Sequence, residues 1–224
     1  SQEEALTPQD LEALGAALQG EIATTEERLE DIERRSKASA SVIAEATAAV
    51  LFLQGAWGFK EKDGERMLRQ VLDGNGNPMR LPNGTLSLSL DGTGPVAERQ
   101  YTGTGFLVGE GSLLVTNRHI GLPWEFDANI KMILAQGLEP VMTRFIGYLP
   151  GQAEPVTVEL VAASDSADVA LLRLTENGDN RPGLKLATSP PGPGDEIIVM
   201  GYPTGLRSML AQAGNRFVEE LRAT

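Results

Sequence analysis

The first 44 residues carry their hydrophobic side chains on one narrow helical stripe. Its positions follow one another at spacings of three and four, which mark a single helix face: Leu11, Leu14, Leu18, Ile22, Thr25, Leu29 and Ile32. Thr7 before Pro8, with Asp10 close behind, is a helix start signal. We therefore predict a helix over residues 1–44.

Two roles for this helix stay open on the sequence alone. A narrow apolar stripe suits a homo-oligomer formed through residues 7–38, as in a coiled coil. It suits equally a helix that lies on its own domain, since three or four sustained heptads are needed to indicate a coiled coil.

From residue 45 onward the pattern changes to short apolar runs separated by Gly, Pro and Asn, which is typical of β-strands joined by turns. The Gly- and Pro-rich stretch 73–94 predicts hairpin turns at its Asn-Gly pairs, and 127–136, closed by Gly137, predicts a short helix. Many short strands in one block indicate a barrel or sandwich, before the pattern becomes helical again over 205–224. Strands are predicted at 48–59, 101–108, 113–116, 141–148, 156–161, 169–174 and 196–201.

Composition excludes several classes of function. The net charge is −12 and no basic run forms a stripe, so nucleic acid and anionic membrane surfaces are not expected partners. The chain has no cysteine and one histidine, which excludes disulfides, a thiol nucleophile and thiolate or multi-histidine metal sites, and we expect no cofactor. No run of about 18 uncharged apolar residues exists, so no membrane-spanning segment is predicted.

The candidate chemistry lies at the ends of two predicted strands. His119 follows the strand 113–116, and Asp168 comes just before the apolar run that begins at Val169. On the residues alone, a single histidine is most often structural, and an aspartate before a strand often only caps it. Asp165 competes with Asp168 for the same role.

Three motifs in order resemble the bacterial trypsin-like peptidases, the HtrA-like branch of the chymotrypsin fold. Gly103-Thr-Gly-Phe followed by Leu113-Leu-Val-Thr-Asn-Arg-His is similar to that family's histidine motif. Ala167-Asp-Val-Ala-Leu-Leu resembles its aspartate motif, and the segment 194–205, which contains Gly-Tyr-Pro-Thr-Gly, resembles the opening of its second barrel.

The resemblance implies a mostly-β, chymotrypsin-like double β-barrel behind an N-terminal helix. It implies a first barrel at 45–183 and the incomplete start of a second at 184–224. In that family's mechanism His119 would be the general base, and Asp168 would be buried and would orient the imidazole. A protein or peptide substrate, hydrolysed by acyl transfer, and a location outside the cytoplasm are implied in the same way.

The chain departs from the family pattern in the motif that carries the nucleophile. The family's nucleophile lies in Gly-x-Ser-Gly, and neither serine after Asp168 has that setting: Ser189 precedes two prolines, and Ser208 lies in a helical pattern. We expect a chain truncated before its nucleophile and inactive alone. The alternative is a non-enzymatic relative whose barrel and helix bind a partner. Trp124, close to His119, would pack in the core or line the substrate cleft.

Overall fold

The computed structural model describes residues 7–109, 112–175 and 182–202. The chain divides into two compact units, Ser1–Glu45 and Ala46–Thr224. A single long helix, α1 (Pro8–Thr47), accounts for the described part of the first unit. It begins where the Thr-Pro signal predicts, and the N–H of Leu11 donates to the carbonyl of Thr7 at 3.2 Å. The large residues of the apolar stripe are half or more exposed along its length.

The described part of the second unit is built around a closed barrel of antiparallel strands. The strands are β1 (Val50–Glu61), β2 (Arg69–Gln70), β3 (Leu88–Ser89), β4 (Arg99–Leu107), β5 (Leu113–Thr116), β6 (Leu138–Tyr148), β7 (Val156–Ala163) and β8 (Ala170–Leu174). In the barrel they lie in the order β1-β4-β5-β8-β7-β6, so that β6 pairs with β1 and closes the barrel. The other two strands, β2 and β3, pair with each other as a separate sheet.

Leucine side chains fill the barrel, and glycines on neighbouring strands make room for them. Leu53 of β1 is fully buried and pairs in register with Gly103 of β4 and Gly147 of β6. A Cβ atom on Gly147 would lie 3.3 Å from Leu53, and one on Gly105 would lie 3.0 Å from it. This alternation of large and small interior residues is how a narrow barrel is packed. The other large side chains with full burial are Leu51, Leu107, Leu114, Leu149 and Leu172.

The mostly-β prediction with an N-terminal helix is confirmed, and most predicted strands fall within two or three residues of their observed bounds. The turn prediction is confirmed at Gly76 and Gly84, which both adopt φ of +82°. The predicted hairpin of β4 and β5 forms, with Phe106 opposite Val115, although part of its turn lies outside the described residues. The predicted helical segment 205–224 also lies outside them.

Two local predictions need correction. The segment 196–201 is not a strand, because within the described residues no neighbouring strand pairs with its N–H and C=O groups, and Val199 is 89% exposed. The helix predicted over 127–136 is shorter, because Asp127 forms a turn in which its carboxylate accepts the N–H of Asn129 at 2.8 Å. Within the predicted segment the helix is α3 (Ile130–Leu134). Two further short elements precede it, α2 (Arg118–Gly121) and a 3-10 turn (Pro123–Phe126).

Candidate active site

His119 lies on the short helix α2, which begins directly after β5 at the rim of the barrel. Its neighbours in sequence anchor this helix. Ile120 is 8% exposed, and its side chain fills the space above Gly103, where a Cβ atom would lie 2.8 Å from it. Gly121 is buried against β8, where a Cβ atom would lie 3.1 Å from the side chain of Ala170. The apolar neighbours of His119 thus fix the position of a polar side chain.

Asp168 lies on the tight loop that leads into β8. The N–H of Ser164 donates to the carbonyl of Val169 at 2.9 Å, and the hydroxyl of Ser164 accepts the N–H of Ala167 at 3.2 Å. These bonds close the loop on itself. Because Thr116 at the end of β5 is opposite Ala170 at the start of β8, the barrel brings the two loops together.

The His119 imidazole and the Asp168 carboxylate are in direct contact. Nδ1 of His119 lies 2.7 Å from Oδ2 of Asp168, and the backbone N–H of His119 donates to Oδ1 at 2.9 Å. The side-chain amide of Asn117 donates to Oδ2 and to the backbone carbonyl of Asp168, both at 3.2 Å. Asp165, the competing candidate, has a fully exposed side chain and contacts Arg118 at 3.3 Å. The geometry therefore pairs His119 with Asp168.

These contacts favour the ionised form of Asp168. The backbone N–H of His119 is the largest influence that holds the pKa of Asp168 below its usual value. Desolvation opposes this effect, whereas the His119 ring and the Asn117 amide add to it. A carboxylate bound to Nδ1 holds the neutral imidazole in the tautomer that leaves Nε2 free to accept a proton.

The expectation that Asp168 is buried is wrong for the described structure. The side chains of Asp168 and His119 are 45% and 46% exposed. The physical reason is the position at the barrel rim, where Asn117 and the His119 turn cover only one side of the carboxylate.

Arg118 links the two loops beside this pair. Its guanidinium makes a two-pronged ion pair with Glu125, with Nε to Oε2 at 2.7 Å and Nη2 to Oε1 at 3.1 Å. Nη1 donates to the backbone carbonyl of Ser164 and to Oδ1 of Asp165. The guanidinium therefore reaches from the His119 helix to the loop that carries Asp168.

Two aromatic residues follow His119 and have different surroundings. Phe126 is 59% exposed, and its ring meets the His119 ring edge to face, with centroids 5.8 Å apart. Trp124 is partly buried against Trp57, at 6.1 Å between centroids, in a second apolar cluster that includes Phe59 and Leu138. Core packing is thus the observed role of Trp124, and the aromatic ring beside His119 belongs to Phe126.

Of the two serines that follow Asp168, one has no hydrogen bond to His119 and the other lies outside the described residues. Ser189 is exposed in a loop, and within the described residues both hydrogen bonds of His119 are made with Asp168. Ser208 lies outside the described residues.

Sequence reasoning missed Asn117, Arg118 and Phe126 as parts of the site. The sequence carries no signal for the contact that Asn117 makes, because asparagine before a short helix indicates a cap. In the structure it stands at the cap position of α2, yet its side chain makes no cap bond and donates to Asp168 instead. The contacts of Arg118 with residues 164 and 165 cross 46 and 47 positions of sequence, so no local pattern predicts them.

The histidine and aspartate motifs imply the class of the chymotrypsin-like serine peptidases. The structure agrees with that class, since it has a closed β-barrel with a paired His and Asp at its rim. Residues 103–220 match the family model of the trypsin-like peptidase domain. This match covers more than half of the chain, and the chain belongs to that family.

No curated protein matches the sequence. Among solved structures, that of the HtrA-type protease AlgW with a decapeptide is similar at 14% sequence identity and a TM-score of 0.31. The match covers 60% of this chain and 32% of that chain, so the present chain spans less than half of the solved structure's length. Among the described residues, no helix is long and apolar enough to cross a membrane.

Proposed function

We propose that His119 and Asp168 are the general base and the orienting carboxylate of a serine-type endopeptidase. The observation that carries this proposal is the double contact of Asp168 with His119, through Nδ1 at 2.7 Å and the backbone N–H at 2.9 Å. One contact fixes the ring tautomer and the other fixes the carboxylate against the turn. Membership of the trypsin-like peptidase family supports the class of reaction.

In the proposed reaction a serine hydroxyl gives its proton to Nε2 of His119 as its oxygen attacks the carbonyl carbon of a peptide bond. Asp168 stabilises the imidazolium that forms. The imidazolium then protonates the leaving amine, which breaks the peptide bond and leaves a serine ester that water hydrolyses. The substrate is a protein or peptide, and we propose a site of action outside the cytoplasm on the strength of the family resemblance.

We further propose that these 224 residues form no acyl-enzyme alone, because none of their serines lies in Gly-x-Ser-Gly. That turn supplies the nucleophile and the N–H groups that stabilise the oxyanion. The test is incubation of the chain with a fluorophosphonate probe, followed by mass spectrometry of its peptides. We expect no labelled serine, and a covalent adduct on Ser189 or Ser208 would show that the chain has a nucleophile of its own.

A second candidate function concerns α1 and is favoured by its exposed stripe. Leu18 and Ile22 are 50% and 56% exposed, and the same face continues through Leu29 and Ile32. A helix of 40 residues draws most of its stability from packing of an apolar face. We propose that a second copy of this chain covers the stripe, which would make the helix an oligomerisation segment whether or not the barrel is an enzyme.

A further inference from the structure

Arg118 makes a set of contacts that the proposed reaction does not use. Its side chain is 21% exposed and touches two segments that are distant in sequence. On its own side of the site it binds both carboxylate oxygens of Glu125. Across the site it donates to the carbonyl of Ser164 and to the carboxylate of Asp165.

The carbonyl of Ser164, which accepts a hydrogen bond from Arg118, belongs to the loop that carries Asp168. Ser164 closes the loop that carries Asp168, through its N–H to the carbonyl of Val169 at 2.9 Å and its hydroxyl to the N–H of Ala167. A group held on Ser164 therefore restrains the whole loop. Arg118 directly precedes His119 in the sequence. Its side chain therefore connects the backbone beside His119 with the loop that carries Asp168.

We propose that Arg118 is a positioning residue that sets the contact between His119 and Asp168, and that Glu125 holds it in place. This inference rests on the proposed function, since it assigns Arg118 a purpose within the same site. The planar guanidinium is suited to this task because its fixed fork of donors satisfies Glu125 and the Ser164 carbonyl at once. A lysine would offer one point charge and would not span both acceptors in a fixed geometry.

The experiment uses the single histidine of this chain as its reporter. NMR of the full 224-residue protein with isotope-labelled histidine gives one set of ring signals, all from His119. The Nδ1–H proton shared with Asp168 is expected far downfield and protected from exchange with water. We compare the unchanged chain with R118M and with R173M, which removes the same groups from an exposed position on β8.

R118M is expected to lose the protected Nδ1–H signal, or to raise its exchange rate by about tenfold or more, as loss of charged hydrogen bonds would. R173M is expected to keep the signal. If R118M keeps the signal and exchange rate of the unchanged chain, Arg118 only makes a surface ion pair and the proposal is overturned. Should circular dichroism show that R118M is unfolded, E125Q decides by the same criterion, with a smaller rise in exchange expected and no rise overturning the proposal.

This readout separates the two proposals because it requires no hydrolysis. Absence of the protected signal from the unchanged chain would contradict the His119–Asp168 pair, and with it the proposed function. Presence of the signal there, together with its persistence in R118M, or in E125Q where R118M is unfolded, would contradict only the role of Arg118.

Discussion

The side chain of Ile120 on α2 fills the space that a side chain on Gly103 of β4 would need. A Cβ atom on Gly103 would lie 2.8 Å from Cδ1 of Ile120 and 2.9 Å from its Cγ2. Ile120 is buried and is the immediate neighbour of His119. The glycine in the strand motif and the histidine in the turn motif are therefore parts of one packing arrangement. The absence of a side chain on β4 allows α2 to lie close enough for its histidine to meet Asp168.

The first prediction tests this arrangement with G103A. Ile120 is β-branched and buried, so it has little freedom to move away from an added methyl group. We expect a loss of about 1–3 kcal/mol in the free energy of unfolding by urea. The control is G74A, where an added Cβ atom meets nothing within 4 Å. Equal stability of the two variants would show that Ile120 does not need the space.

The second prediction concerns Tyr101, whose ring lies over Gly55 on the neighbouring strand. A Cβ atom on Gly55 would lie 2.1 Å from the ring, and the phenol donates to Sδ of Met142 at 3.3 Å. Burial raises the pKa of Tyr101 above its usual value. A raised folded-state pKa gives stability that is complete below about pH 10 and is lost as the pH rises toward the folded value.

The measurement is the free energy of unfolding at neutral pH and at a pH above about 10, for the unchanged chain and for Y101F. The unchanged chain should lose more stability than Y101F on going to the higher pH, because only it exposes the buried Tyr101 phenol on unfolding and lets it ionise. Equal losses in the two proteins would contradict the burial of this hydroxyl.

The third prediction uses the lowered pKa of Asp168, with D168N as the variant. A lowered folded-state pKa gives stability that is present above about pH 4 and is lost as the pH falls through the folded value. We therefore expect D168N to unfold more easily than the unchanged chain at neutral pH, and the difference to shrink in acid. D165N is the control, since its side chain is fully exposed. The assignment fails if D165N shows the larger difference at neutral pH.

The fourth prediction tests self-association through α1. The double variant L18E/L29E places two charges on the exposed stripe, whereas A13E/A16E places two charges on the opposite face, since residues of a helix turn by about 100° each. Sedimentation velocity should give an oligomer for the unchanged chain and for A13E/A16E, and a monomer for L18E/L29E. A monomeric unchanged chain would contradict the oligomerisation proposal.

Much of the barrel was predictable because its signals are local. Strand β7 shows why, since Val156 and Val158 are buried between exposed Thr157 and Glu159, as alternation predicts. The alternation ends at Leu160, which is 39% exposed next to an irregularity in the pairing with β8. The segment 196–201 is also rich in apolar residues. A strand, however, requires a neighbouring strand that hydrogen-bonds to its backbone, and the local residue pattern does not show whether one is present.

The two principal residues of the candidate site could be predicted from the sequence, but the residues that hold them in position could not. His119 and Asp168 lie in motifs that a resemblance identifies, and the pairing of β5 with β8 brings them together. The supports act over distance. Ile120 packs on a strand that precedes it by 17 positions, and Arg118 reaches Ser164, so both depend on the closed barrel rather than on local pattern.

The central claim is that His119 and Asp168 serve a serine peptidase, and it is tested most directly with the product of the complete gene that encodes this chain. Fluorophosphonate labelling and hydrolysis of an unfolded protein substrate should be measured for that product and for its H119A, D168N and D165N variants. We expect labelling at a serine in Gly-x-Ser-Gly, a loss of turnover on the order of 10⁴-fold in H119A and D168N, and little change in D165N. No labelled serine, or full turnover in H119A, would contradict the account and favour a binding scaffold.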